Sequence, residues 1–138
     1  MSRNYYMAVT KSGASITVSL RFNTVHANDP AKAEALQAAM RAASIGSTGT
    51  VYVTLDSGKT VMDALLATAS TANITVDYTN SSYGAYVTGI GGLTAGGPAG
   101  WMYKVNGETP MTGASNYVLQ NGDTIVWGFV SSFNDSFD

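Results

Sequence analysis

Ala99-Gly100-Trp101-Met102-Tyr103-Lys104-Val105-Asn106-Gly107-Glu108, followed by Asn116-Tyr117-Val118-Leu119-Gln120-Asn121-Gly122-Asp123-Thr124-Ile125-Val126-Trp127, is the stretch that decides the fold. Both runs alternate as strands do, and each is punctuated by Asn-Gly, the dipeptide that tolerates the positive φ angles of a type I′ turn. The reading is two consecutive β-hairpin elements. Trp101, Tyr103 and Val105 share one face of the first run, and Ile125, Trp127 and Phe129 share one face of the second, so both sets read as core. Trp101 borders a glycine loop and fits an exposed ligand face equally well.

Upstream, Ile16, Val18, Leu20 and Phe22 alternate with Thr17, Ser19 and Arg21, a half-buried strand expected to pair in a hairpin with a strand at residues 4–10. Asp29-Pro30 offers an N-cap and an N1 proline, and Ala33, Leu36, Met40 and Ala43 then recur at helical spacing. Val51, Val53 and Leu55 alternate into a further strand. Thr60 and Asp63 form a capping box ahead of a stripe of Met62, Leu65, Leu66 and Ala69. Residues 73–78 and 85–90 read as strands around a polar turn at 79–84, and Gly91 to Gly100 is too glycine-rich for regular structure. The fold class is α+β, a β-grasp-like mixed sheet with one central helix packed on it, plus an N-terminal hairpin and a short extra helix.

At 138 residues the chain fits a single domain, 1–138, because two separate cores would each be small. The segment 131–138 is polar apart from Phe133 and Phe137, a composition that normally frays. Charged residues make up 12% against roughly 25% in an average soluble protein, so the surface is largely neutral and hydroxyl-rich. A net charge of -2 with seven Lys plus Arg gives a phosphate backbone little to bind, which argues against nucleic acid. No apolar run approaches a membrane span, and the opening Met-Ser-Arg-Asn-Tyr-Tyr lacks a signal-peptide core. The chain is then a mature or excised piece, or one not exported by that route. With no cysteine and one histidine, His26, no thiolate chemistry is available and a zinc site is not expected.

Lys59-Thr60-Val61-Met62-Asp63-Ala64-Leu65, Tyr86-Val87-Thr88-Gly89-Ile90-Gly91-Gly92, Gly100-Trp101-Met102-Tyr103, Val105-Asn106-Gly107 and Gly122-Asp123-Thr124-Ile125 together resemble the transcobalamin-like C-terminal domain family, over residues of about 16–129. Members of that family are found in bacterial surface proteins and in animal cobalamin carriers. The resemblance implies an extracellular or cell-surface recognition module with cobalamin or another corrinoid as ligand, and no required cofactor.

Aromatic rings give large contact area at small entropy cost. Tyr83, Tyr86, Trp101 and Tyr103, with Gly91 and Gly92 beside them, are accordingly the candidate ligand-contacting residues, Tyr83 and Tyr86 being the expected exposed pair. Asp56, Asp63, Asp77 and Asp123 are dispersed, with no acid-base pair and no Ser-His-Asp arrangement, so no enzyme is expected. Two readings follow: a non-enzymatic module contacting a small molecule or a partner surface, or a self-assembling structural subunit of a surface layer, fibre or particle, joined through its termini.

Overall fold

A computed structural model describes residues 14–82, 84–132 and 134–138. Four strands form one sheet: β1 (Ser15–Asn23), β2 (Val51–Asp56), β6 (Gly100–Val105) and β7 (Thr124–Val130), in the order β2-β1-β7-β6. β1 and β7 run parallel at its centre, with antiparallel neighbours outside. A second, three-stranded sheet holds β3 (Val76–Ser81), β4 (Gly84–Ile90) and the two-residue β5 (Leu93–Thr94). Two helices, α1 (Pro30–Ala43) and α2 (Val61–Ala72), complete the α+β fold.

The helix starts follow from their caps. The Asp29 side chain accepts from the Lys32 N–H ahead of Pro30, and Thr60 and Asp63 exchange both bonds of a capping box. Each satisfies backbone donors that a helix leaves unpaired. Asn73 then turns left-handed at φ 58°, ending α2 and delaying β3 to Val76, three residues later than its sequence suggests. Ile16, Val18, Leu20 and Phe22 meet Val61 and Leu65 of α2, Leu36 and Met40 of α1, and Ile125, Trp127 and Phe129 of β7 in one core.

The two Asn-Gly pairs behave differently. Asn106 and Gly107 both take positive φ, 54° and 84°, and close a two-residue turn bonded both ways between Val105 and Glu108. At the second, only Gly122 is left-handed, at φ 88°. No hairpin forms there: residues 117–119 pair instead with the start of α2, Val61 N–H to Tyr117 O and Leu119 N–H to Lys59 O. Gly122 N–H donates to Thr17 O, and Asn121 Oδ1 accepts from Thr17 N–H, which delivers β7 alongside β1. The buried Asp123 joins the two turns, accepting from Asn106 Nδ2 at 2.9 Å and from Gln120 N–H at 2.8 Å. The strand expected at residues 4–10 lies outside the described residues; the neighbours of β1 are β2 and β7.

Candidate functional site

β6 sorts its side chains by alternation. Trp101 and Tyr103 point into the core, while Met102 and Lys104 face outward. The Trp101 indole donates to Leu93 O at 2.8 Å, and its ring meets Phe22 and Phe129 edge-on at 5.9 and 5.5 Å. The Tyr103 hydroxyl donates to Thr112 O at 2.6 Å. Burial, and secondarily the neighbouring Tyr117, pushes the Tyr103 phenol up to about 12. These two aromatics thus tie loops to the sheet: Trp101 holds the glycine-rich segment, and Tyr103 holds the connection between β6 and β7.

Beside the segment anchored by Tyr103 lies a groove of about 940 Å³, bounded by the β3–β4 hairpin on one side and residues 109–113 on the other. Its volume sits near the upper end of the roughly 300–1,000 Å³ usual for small-molecule sites. Tyr86, 55% exposed, and Met111, 99% exposed, supply apolar surface, and Met102 forms part of the floor. Thr79, Ser82, Thr109 and Thr112 supply hydroxyls, and among the described residues none that lines the groove is charged. A smaller hollow of about 210 Å³ shares Tyr86 and Met102 and is completed by Pro98, Gly100 and Val130. Tyr86 stands between the two, its hydroxyl 3.8 Å from where a Cβ on Gly100 would be.

Gly84 sets the width of the larger groove. It has φ +106°, and a Cβ there would meet Ser115 Oγ at 2.6 Å, while the adjacent Ala85 N–H donates to that same oxygen. Only a residue without a side chain allows the turn end of the β3–β4 hairpin and the loop at Ser115 to approach so closely.

Of the sequence-derived candidates, Tyr86 is in the groove and Trp101 borders the smaller hollow. Tyr103 is 9% exposed and serves the site through Thr112. Gly91 and Gly92 lie elsewhere: added Cβ atoms would meet Leu36 and Lys32 of α1. Tyr83 lies outside the described residues. Sequence reasoning missed Met102 and Met111. The first was legible from the alternation that turns Trp101 inward, the second as a large apolar residue inside the loop sequence Thr-Pro-Met-Thr-Gly. Among the described residues, no three His, Asp or Glu side chains are placed to hold a metal ion, and no helix is long and apolar enough to cross a membrane.

The family described as domain of unknown function (DUF4430) matches residues 58–131. Among solved structures, haptocorrin in complex with Cbi superposes with a TM-score of 0.65 at 19% identity, covering 94% of this chain. The chain spans 27% of the haptocorrin chain. A protein from Ruminococcus gnavus ATCC 29149 with a conjectured metal-binding role aligns at a TM-score of 0.51 and 17% identity, covering 86% of this chain and 98% of its own. At such identities the likeness is one of fold. A search of the curated proteins returned no match.

Proposed function

This chain belongs to the family described as domain of unknown function (DUF4430), and on that footing we propose that it is a non-enzymatic recognition module of an extracellular or cell-surface protein. Its ligand is a neutral, amphipathic small molecule held in the groove beside Tyr86, with a corrinoid as the first candidate. The observation that carries this reading is the groove itself, an uncharged cleft of about 940 Å³ walled by an exposed tyrosine and methionine and rimmed with hydroxyls. Such a lining favours contact area and neutral hydrogen bonds over ion pairing. The corrinoid choice draws on the shared fold with haptocorrin, which was crystallised with Cbi.

Equilibrium dialysis against cyanocobalamin and cobinamide tests it, because retention is read without relying on the two buried tryptophans. The unaltered chain should retain one of the two, and Tyr86→Ala should weaken retention about tenfold, the equivalent of about 1.4 kcal/mol. Folded protein that retains neither at about 1 mM, an affinity of only about 4 kcal/mol, would sink the corrinoid reading.

A further inference from the structure

The outer face of the four-stranded sheet carries a slot that the chain itself fills. Cross-strand register places Asn23, Gly128 and Met102 in one row, and Arg21, Val126 and Lys104 in the next. Phe137 lies on this surface, 4% exposed and packed with Val126, Val130 and Met102. Its ring fills the space over Gly128, where an added Cβ would lie 2.4 Å from ring carbons. The glycine is therefore the floor of an aromatic slot.

Three donors flank the slot, and each reads a main-chain oxygen. His26 Nε2 donates to Ser136 O at 2.9 Å, Lys104 Nζ to Phe137 O at 2.6 Å, and Asn23 Nδ2 to Asp138 O at 2.9 Å. Lys104 Nζ also sits 4.8 Å from the centre of the Phe137 ring, a cation–π contact. Three successive carbonyls and one ring are thus held by side chains of the domain. Apart from the aromatic anchor and the Asp135 carboxylate, which lies 3.7 Å from His26 Nδ1, these contacts read main-chain oxygens and not side chains.

We propose that this face is a peptide-recognition site, filled by residues 134–138 of the same chain and able to take that segment from a second copy. Exchange needs no new chemistry, since the donors, the slot and the ring are identical in both copies. The tethered segment competes at an effective concentration in the millimolar range, so the unaltered chain fills its own slot at low concentration. The inference is independent of the groove at Tyr86 and gives the self-assembly reading a defined contact.

Complementation between two variants of the chain, residues 1–138, tests it. Phe137→Ala leaves the slot vacant, and Gly128→Ala blocks the slot while leaving its own Phe137 free to bind elsewhere. Each alone should remain monomeric by analytical ultracentrifugation, and a 1:1 mixture should form a heterodimer. A labelled peptide of residues 134–138 should bind Phe137→Ala about tenfold more tightly than it binds the unaltered chain, and the double variant with Gly128→Ala should lose that binding. If Gly128→Ala fails to fold, the peptide titrated against Phe137→Ala and the unaltered chain decides alone. Folded variants that stay monomeric when mixed and ignore the peptide would overturn the proposal, as would peptide binding unaffected by Gly128→Ala.

Discussion

Met102 stands between a slot filled by the chain itself and the open groove. On one side Phe137 occupies a slot floored by Gly128 and pinned by Lys104. On the other, the groove beside Tyr86 is lined by hydroxyls and exposed apolar atoms, with no charged side chain among the described residues. The filled hollow has a glycine floor, a cation and a ring that match one another in shape. The open one is held from behind through Tyr103, whose side chain faces the core and whose hydroxyl fixes Thr112 on its wall. The filled hollow is matched in shape by the ring that occupies it, whereas the open one offers hydroxyls and exposed apolar atoms.

Gly128 is the position where substitution should cost most. Gly128→Val puts carbon where the Phe137 ring lies, so the ring must leave the face and expose its apolar area. A loss of about 2–3 kcal/mol is expected in urea unfolding, the usual scale for exposing a buried aromatic or overfilling a packed site. Hydrogen exchange at residues 134–138 should rise at the same time. If corrinoid retention by the groove is unchanged in this variant, the two hollows are independent; if it falls, Met102 couples them.

Tyr103→Phe probes the support behind the open groove. Removing the hydroxyl leaves Thr112 O without its donor and should cost about 1 kcal/mol. It should also remove a pH effect. The folded phenol titrates at about 12 instead of 10.0, so its contribution to stability is complete below pH 10 and is lost as pH rises from 10 to 12. Chemical denaturation across that window should show a steeper decline for the unaltered chain than for Tyr103→Phe.

The open hollow was more legible in the sequence than the filled one. Period-2 alternation at Trp101 to Val105 assigns the inner face of β6, and Thr60 with Asp63 announces the start of α2. Tyr86 was identifiable as an exposed aromatic on a strand. The slot went unread because composition assigns 131–138 to a fraying end, while the ring that anchors it is a single residue. The available signal lay in β7: Val126 and Val130 are apolar on the face opposite Ile125, Trp127 and Phe129, with Gly128 between them. A strand apolar on both faces must be covered on both. The Asn121-Gly122 hairpin failed for a different reason, since the dipeptide permits a type I′ turn but long-range bonds to Thr17 chose otherwise. His26, the single histidine of the sequence, holds the Ser136 carbonyl for a reason that only the fold reveals.

Tyr86→Ala sharpens the contrast from the ligand side. An exposed residue without a buried polar role should change stability by no more than about 0.5 kcal/mol. Retention of corrinoid should nevertheless weaken about tenfold, so the variant separates binding from folding. An equal loss in both would make Tyr86 a packing residue, and the open hollow would then resemble the filled one.

The smallest effect belongs to Asp135, which shapes the approach to the filled slot. Its carboxylate accepts from the Ser131 hydroxyl and from the Ser131 N–H, and lies 3.7 Å from His26 Nδ1. The Ser131 hydroxyl bond, then the Ser131 backbone bond and more weakly the His26 charge, hold this carboxyl below its ordinary 3.8. A depressed acid stabilises the fold above its unfolded value and loses that contribution as pH falls through the folded one, so the change lies below pH 3.8. Because the group is at the surface, the consequence is local. Hydrogen exchange in residues 134–138 should quicken, relative to the intrinsic rate, as pH falls through that window, while the core strands β1 and β7 hold their protection. Asp135→Asn should show the quicker exchange already at neutral pH and little further change in acid. If exchange in the unaltered chain stays flat down to the pH of global unfolding, the slot and its three donors hold the segment without help from the Asp135 turn.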